Sequence, residues 1–293
     1  MKMQKNSQTV TYIAALATII LWSSAFAGTK YSFDYFSPGA LMLYRFVFAS
    51  VTLVIVSFFK KTRLPERRDL PLFALGGFIG IFLYMLFFNF GAPHVDSGIS
   101  SLMISSAPVF VVIAARIVLK EKVRFRSWIG IFISFCGIAV IALSQTEDYT
   151  INIGIVFLLI AAITSGGHNV LQRIITRKYT ALEATTYSVL FAALCMLIFA
   201  PSLIRELPGS TLTVNLIMIY LGIFPAGIAY LLWGYALSKA DNTSSVGVFL
   251  YLIPVLSVLI GYFWLGEVLS LWAILGGAIV IGGMMLSNAK KAQ

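Results

Sequence analysis

The chain has 293 residues, 59% of them hydrophobic and only 11% charged, with a mean hydropathy of +0.93. Soluble domains carry about 25% charged residues, so this composition excludes an ordinary soluble protein. The net charge of +10 does not indicate nucleic-acid binding, because the basic residues lie between apolar runs, where they set membrane topology. The sequence contains no GxxxxGK[ST] phosphate loop and leaves no room for an appended nucleotide-binding motor.

Ten apolar runs follow one another along the chain, each about as long as the ~20 residues that one membrane-spanning helix needs. They cover, in chain order, residues 10–30, 38–59, 70–91, 97–119, 126–145, 151–172, 182–201, 213–237, 244–265 and 269–288. Each run is predicted to be an α-helix, because open strands cannot satisfy their backbone groups in lipid. The predicted fold is an all-α membrane protein with ten transmembrane helices.

The first run has an alternative interpretation as a signal peptide. Lys2 and Lys5 precede it, and the segment 25–27 has the small residues of a signal-peptidase site. We favour a membrane span because the run has a counterpart in the second half of the chain.

The distribution of Lys and Arg predicts the orientation of the helices. If both termini are cytoplasmic, 21 basic residues divide very unevenly: only Lys30 and Arg205 fall in outer loops, and only Arg45 and Arg116 fall within helices. All the others lie in cytoplasmic segments, as the positive-inside rule requires. The alternation also supports ten spans, since one missed helix would disturb it.

The second half of the chain repeats the first. An offset of 146 positions aligns runs three to five with runs eight to ten without a gap. The coinciding residues include the pairs Tyr84/Tyr230, Pro108/Pro254, Glu121/Glu267, Gly130/Gly276 and Gly137/Gly283. Runs one and two match runs six and seven more weakly, near an offset of 143, where Tyr44 meets Tyr187.

The odd number of helices in each repeat has a direct consequence. The second unit must enter the membrane from the opposite side, which makes the repeat inverted. Inverted repeats allow two packings, each open to one face, around a site near the bilayer midplane. We therefore predict two five-helix domains, 1–145 and 146–293, and the transport of a small solute.

Short motifs in both halves are shared with a known family. They are the segment 22–26 followed by Pro38 and Arg45, the segment 106–108 followed by Glu121 and Gly130, and Pro254, Gly266, Glu267, Gly276 and Gly277 in the second half. Together they resemble the EamA-type transporters of the drug/metabolite transporter superfamily over essentially the whole chain.

The resemblance implies a ten-helix carrier without a motor, often an exporter of amino acids and related metabolites. It also implies a substrate pathway between helices 1, 3, 4, 6, 8 and 9. Helix six departs from the pattern, because residues 164–168 read Thr-Ser-Gly-Gly-His where helix one has Trp and Ser.

Aromatic and hydroxyl side chains near the midplane are candidates for binding an organic solute by stacking and hydrogen bonding. The candidate substrate-binding residues on helices one, three, eight and nine are Trp22, Ser24, Tyr84, Phe88, Tyr230, Trp233 and Tyr251. Ordinary helix packing is the alternative for each of them.

His168 is a histidine well inside a predicted span, on helix six beside Asn169. Its near-neutral titration would suit a proton relay or a substrate contact. A neutral ring bonded to a neighbouring helix is the alternative. We favour a place in the substrate pathway for both residues, since the lack of Asp or Glu near the midplane weakens a proton- or sodium-driven mechanism.

Arg45 lies about 10 Å into helix two, at 1.5 Å per residue, where a charge is expensive unless it finds a partner. Asp34 and a substrate carboxylate are the candidate partners, and we favour a structural tether. Pro108 and Pro254 interrupt helices four and nine as hinges or fixed kinks. Glu121 and Glu267 are predicted structural or gating residues, each stabilising the N-terminus of the next helix or pairing with a cation.

Cys136 and Cys195 lie in apolar runs without a metal-ligand neighbourhood, so they are interpreted as packing residues. We expect no cofactor and no metal.

The predicted function is that of a secondary transporter or facilitator that moves an amino-acid-like metabolite across the cytoplasmic (inner) membrane, in the direction of export. A lipid flippase and a membrane-embedded enzyme are the alternatives; no HExxH, Ser/His/Asp set or acidic metal cluster favours the enzyme. The expected partners are the solute and membrane lipids, without nucleic acid or an ATPase subunit, and the protein is expected to be a monomer or a dimer.

Overall fold

The computed structural model describes residues 2–120, 123, 125–144, 152–239 and 248–288. Over these ranges the chain is helical and contains no β-strand. The helices, in chain order, are α1 (Lys2–Ser32), α2 (Pro38–Phe59), α3 (Arg67–His94), α4 (Ser97–Val118), α5 (Phe125–Ser144), α6 (Ile153–Ile175), α7 (Ala181–Gly209), α8 (Leu212–Ala236), α9 (Phe249–Leu265) and α10 (Leu271–Ser287).

Within the described ranges, the eight helices α1–α8 are long and apolar enough to cross a membrane, and α9 and α10 are shorter apolar helices. Large side chains on their outer faces, such as Phe58 and Phe263, are exposed, as expected for surfaces that face lipid. The prediction of an all-helical protein with several membrane spans is confirmed. The count of ten spans stays a prediction, because the two shorter helices fall below the length of a clear span.

Two helices contain a π-helical segment at corresponding places. The segment Phe78–Leu83 lies in the middle of α3, and the segment Phe224–Ile228 lies in α8. Their first residues are separated by the 146 positions that align the two halves of the sequence. Pro225 accounts for part of the second segment, since proline cannot donate the backbone bond that a regular α-helix needs. Such π-helical turns are frequent at functional sites.

The predicted proline breaks in α4 and α9 are present. Helix α4 stops its regular bonding at Ile104 and resumes at Ala107, with Pro108 in the first turn of its second part. Helix α9 has an irregular 3-10 turn that ends at Tyr251, three residues before Pro254. Proline at the start of a helical segment loses no backbone bond, which explains why both breaks lie just before the proline.

Helices α5 and α10 pack backbone to backbone. A Cβ at Gly130 would lie 2.5 Å from the carbonyl oxygen of Gly283, and a Cβ at Gly137 would lie 2.7 Å from that of Gly276. From Gly130 to Gly137 the residue number on α5 rises by seven, while that of the contacted glycine on α10 falls by seven. The two helices therefore run antiparallel. Small residues at this interface permit the close approach that strengthens helix packing in lipid.

Two further close contacts place α2 against α8 and α3 against α7. A Cβ at Gly222 would lie 2.5 Å from the carbonyl oxygen of Arg45, and a Cβ at Gly77 would lie 2.5 Å from that of Ser188. Arg45 and Ser188 are separated by 143 positions, the offset that relates helices two and seven in the sequence. Each half of the chain thus contributes one helix to each contact.

The connection between α2 and α3 is held to the start of α7 by a buried carboxylate. Glu183 is only 2% exposed and accepts hydrogen bonds of 2.8 Å from the backbone N–H groups of Arg63 and Thr180. Lys178 adds exposed ion pairs to Glu66 and Asp69 nearby. The hydrogen bonds to these carboxylates raise the pKa of Lys178, and the bond from Lys178 lowers the pKa of Glu66.

Candidate functional site

Helix α1 brings Trp22 against the π-helical part of α8. Its indole N–H donates a 3.1 Å hydrogen bond to the carbonyl of Pro225. Its ring centroid lies 5.7 Å from that of Tyr230 and 5.5 Å from that of Trp233. Three residues predicted separately on helices one and eight therefore form one aromatic group.

One turn further along α1, Phe26 makes the equivalent contact with α3. Its ring centroid lies 5.7 Å from that of Phe88, and Phe88 stacks on Tyr84 at 6.1 Å. Tyr84 and Phe88 thus share a face of α3 as a stacked pair, and their role in binding a solute stays a prediction. Phe26 was not predicted as a site residue, although its spacing of four from Trp22 places both on one face of α1.

Arg45 on α2 carries a buried charge near the tyrosines of both halves. Its side chain is buried, with 6% exposure, and Tyr84 and Tyr230 are ionisable side chains close enough to affect its charge. Its Nε is fully buried without a hydrogen-bond partner. Within the described part of the chain, no hydrogen bond or ion pair joins Arg45 to Asp34, the protein partner considered from the sequence.

These residues form what we call the central cluster, which is drawn from four helices. Its members are Trp22, Phe26, Arg45, Tyr84, Phe88, Tyr230 and Trp233. It combines apolar ring surface, two hydroxyl groups and one fixed positive charge. A site of this composition can hold a small organic molecule that carries an acidic group.

Ser24 lies on α1 between Trp22 and Phe26, but its hydroxyl contacts residues outside the central cluster. Its hydroxyl is 2.7 Å from the hydroxyl of Tyr220 and donates to the carbonyl of Leu21 at 2.9 Å. Its neighbour Ser23 is the buried one, and it donates to the carbonyl of Ile253 in α9. Sequence reasoning missed Tyr220, and no local pattern distinguishes it from the other aromatic residues of α8.

Tyr251 lies where α9 changes from its 3-10 turn to a regular helix. Its side chain packs against the main hydrophobic core.

His168 packs directly on Gly80 of α3, where a Cβ would collide with the imidazole ring. Its Nδ1 is buried and has no hydrogen-bond partner among the described residues. Gly80 lies four residues before Tyr84, so His168 is about one helical turn from the central cluster. Asn169 is exposed and donates to the carbonyl of Ser165 on its own helix.

Glu267 stabilises a different helix from the one that the sequence predicted. Its carboxylate accepts hydrogen bonds from the backbone N–H and the hydroxyl of Ser97, the first residue of α4. The predicted position, at the start of α10, is taken by the hydroxyl of Ser270, which accepts from the backbone of Ala273. The left-handed turn at Gly266, with φ of 71°, redirects the chain at the end of α9 and places Glu267 beside α4.

Two other charged side chains, Lys30 and Asp96, lie with Glu267 near the N-terminus of α4. Lys30 donates to the backbone carbonyls of Pro93 and Val95, at 2.7 and 2.8 Å. Burial raises the pKa of Asp96, and the negative charge of Glu267 raises it further. Glu121, the counterpart of Glu267 in the first half, lies outside the described residues.

Comparison with known proteins now identifies the family. A sequence profile of the EamA-like transporter family matches the chain twice, over residues 9–143 and 152–289. The chain belongs to the EamA-like transporter family. Its relatives are named as transporters, which agrees with the expectation of a function other than catalysis.

Two relatives cover nearly the whole of this transporter. An uncharacterized transporter, YdfC of Bacillus subtilis (strain 168), is 31% identical and covers 92% of this chain and 88% of its own. A protein of Streptantibioticus cattleyicolor, named as a probable terminal-alkyne amino-acid exporter, is 33% identical and covers 94% of this chain and 93% of its own.

A solved crystal structure shares the fold. Its TM-score is 0.64 at 20% sequence identity, with 97% of this transporter and 96% of that chain covered.

An open cavity of about 430 Å³ lies at one end of this transporter, between residues 33–38 and residues 90–94. None of the residues of the central cluster lines it. In the conformation described here, the rings of the central cluster pack against one another instead of surrounding this cavity. A solute that enters the central cluster must therefore separate α1 from α3 or α8.

Proposed function

We propose that this EamA-like transporter is a secondary carrier that exports a small, amino-acid-like metabolite across the cytoplasmic (inner) membrane. The name of the Streptantibioticus cattleyicolor relative supports both an amino-acid-like substrate and export. The lack of a nucleotide-binding loop in the sequence supports transport without a motor. The central cluster supplies the substrate surface in this proposal.

The symmetric glycine contacts between α5 and α10 are the main support for the proposed mechanism. Gly130 lies against Gly283, and Gly137 lies against Gly276. Because Gly276 is the counterpart of Gly130 and Gly283 that of Gly137, exchanging the two halves converts the first contact into the second. Such an exchange in an antiparallel pair is the signature of a two-fold axis between inverted repeats.

Other observations support the same symmetry. The π-helical segments of α3 and α8 correspond, and the contacts of Gly222 and Gly77 place each of these helices on the second helix of the other half. The family profile also matches the two halves separately. Domains 1–145 and 146–293 would then be two inverted five-helix units, and rocking one against the other would expose the central cluster to each face in turn.

The orientation can be tested directly. The basic residues favour cytoplasmic termini. A reporter that is active only in the cytoplasm should therefore give a signal after residue 64 and none after residue 148. The opposite labelling would contradict this orientation.

Transport is tested with the purified protein in liposomes that are loaded with isotope-labelled amino acids and related metabolites. We expect efflux of one or a few of them, detected by mass spectrometry, above the rate of protein-free liposomes. Movement of a fluorescent lipid headgroup is measured in the same vesicles. If lipid moved and no water-soluble metabolite did, the flippase alternative would replace this proposal.

A further inference from the structure

We propose that Arg45, Tyr84 and Tyr230 form a binding site for the carboxylate of the transported solute. This inference rests on the proposed function and specifies the chemical class of its substrate. The site lies between the two halves of the chain, because Tyr84 and Tyr230 are counterparts at the offset of 146.

The buried charge of Arg45 points to a bound anion. Its side chain is 6% exposed, and its Nε is buried without a partner. Arginine keeps its positive charge in proteins, so it cannot escape burial by losing a proton. A buried, uncompensated charge is strongly unfavourable. In the part of the chain that the structure describes, no carboxylate forms an ion pair with Arg45, so a bound anion is the natural partner.

The backbone of Arg45 lies in close contact with α8. A Cβ at Gly222 would lie 2.5 Å from the Arg45 carbonyl oxygen and 2.5 Å from the Cβ of Phe48. The glycine therefore allows α8 to approach α2 at the level of Arg45. Tyr230 lies further along α8 and Tyr84 lies on α3, and both are close enough to Arg45 to affect its charge.

The hydroxyl groups of Tyr84 and Tyr230 are available as hydrogen-bond donors to a ligand. Neither the hydroxyl of Tyr84 nor that of Tyr230 makes a hydrogen bond to another described residue. A carboxylate has two oxygens and can accept a pair of bonds from a guanidinium together with bonds from hydroxyl groups. The three side chains thus offer what one carboxylate requires.

The site contains a single positive charge. The counterpart of Arg45 at the offset of 143 is Ser188, so the charge is not repeated in the second half although the tyrosine is. One cation suits one singly charged acidic group. The rings of Trp22, Phe88 and Trp233 supply apolar surface in the same cluster. The substrate we infer is a small carboxylate with an apolar or aromatic remainder.

The test compares L-amino acids with their matching L-amino-acid amides, which differ only in the acidic group. Thermal stabilisation of the purified full chain in detergent reports binding without requiring transport. We expect at least one amino acid to stabilise the protein while its amide does not. Equal stabilisation by acid and amide, or none by any acid, would overturn the inference.

Variants then assign the effect to the three side chains. Arg45→Gln should weaken acid binding by roughly tenfold or more, and Tyr84→Phe and Tyr230→Phe each by about threefold to tenfold, as for lost hydrogen bonds to a charged group. Arg116→Gln is the matched control, because Arg116 is exposed, and it should bind like the unchanged protein. Wild-type binding by folded Arg45→Gln protein would contradict the assignment.

If Arg45→Gln does not fold, Arg45→Lys and the two tyrosine variants carry the test. Lysine keeps the charge without the planar pair of donors, so acid binding should weaken without disappearing. Unchanged binding in all three variants would refute the site. Stabilisation by phosphatidylglycerol vesicles or glycerol phosphate, but by no amino acid, would assign the anion to a lipid headgroup and also refute it.

The two proposals fail in different ways. Transport of uncharged or cationic solutes that persists in Arg45→Gln would refute the carboxylate site and leave the transporter proposal standing. Arg45-dependent acid binding without any flux in liposomes would support the site and refute transport of these acids.

Discussion

Ser134 on α5 donates a 3.2 Å hydrogen bond to the carbonyl of Val280 on α10, and the two residues are 146 positions apart. Since this offset relates the two halves, each residue is the counterpart of the other. A contact between counterparts maps onto itself when the halves are exchanged, as a contact on a two-fold axis does. The glycines on either side of this pair make the interface close, which leads to the first prediction.

Gly282 and Gly283 are neighbours on α10 with opposite surroundings. A Cβ at Gly283 would lie 2.6 Å from the carbonyl oxygen of Gly130, whereas a Cβ at Gly282 has no atom within 4 Å. Gly283→Ala should therefore separate α5 from α10 and destabilise the protein by about 1–3 kcal/mol. Gly282→Ala should be neutral or stabilising by up to about 1 kcal/mol, because alanine favours the helix.

The measurement is the thermal midpoint of both variants in the same detergent. A decrease for Gly283→Ala alone is expected. Equal shifts for the two variants would show that α5 and α10 are not packed as closely as described.

Glu183 and Lys178 allow a comparison of a buried and an exposed charge at one end of the bundle. Glu183→Ala leaves the backbone N–H groups of Arg63 and Thr180 without their acceptor, which should cost about 1–3 kcal/mol. Lys178→Met removes ion pairs that water already screens, so its effect should be small and should decrease further in high salt.

Denaturant unfolding at two salt concentrations measures both effects. The prediction fails if Lys178→Met is as destabilising as Glu183→Ala. It also fails if high salt reduces the effect of Glu183→Ala as much as it reduces the effect of Lys178→Met.

Asp96 should contribute a pH-dependent term to stability. Its pKa is raised above the ordinary value of 3.8 by burial and by Glu267, so the folded protein holds this proton more tightly than the unfolded chain. The stabilisation is therefore complete below the ordinary value and is lost as the pH rises through the raised pKa. Asp96→Asn, which cannot titrate, should remove this contribution.

Thermal midpoints measured from about pH 4 to pH 7 test the sign. As the pH rises, the unchanged protein should lose stability relative to Asp96→Asn. A shift in the other direction would mean that Lys30 outweighs burial at this site.

Residues in or beside the central cluster should matter more for transport than for folding. Tyr84→Ala, Trp233→Ala and His168→Ala should each reduce the transport rate by roughly tenfold, which corresponds to about 1.4 kcal/mol of lost interaction. Phe263→Ala is the matched control, because Phe263 is an aromatic residue that is 82% exposed on the outside of α9.

Rates in liposomes are compared with the amount of protein in the membrane. If the transport rate and the amount of protein in the membrane decreased together, these residues would act in packing and not in transport. A loss of transport in Phe263→Ala equal to that of Trp233→Ala would remove the distinction between the central cluster and the outer surface.

Much of the architecture was predictable because lipid leaves few choices. A run of apolar residues in a bilayer must be a helix, so composition alone predicts the all-helical fold and the positions of most spans. The breaks before Pro108 and Pro254 were also predictable, because proline acts through its own ring. The pairing of Tyr84 with Phe88 followed from a spacing of four, which places two residues on one face of any helix.

The contacts between distant helices were not predictable in this way. Nothing local in the sequence indicates that Glu267 stabilises α4 instead of α10, because a turn at Gly266 decides the direction of the chain there. Nor does it indicate that Ser24 turns toward Tyr220, since both are members of apolar runs with many similar faces.

The sequence by itself determined that this chain is a helical membrane protein of the EamA-like transporter family, because hydropathy, the spacing of motifs and the pattern of basic residues are properties of the chain in order. Only the tertiary structure decided that Arg45 is buried near Tyr84 and Tyr230, and that no carboxylate among the described residues forms an ion pair with it. The physical reason is that electrostatic energy depends on distance in space, and the helices that carry these three residues meet only when the bundle is assembled.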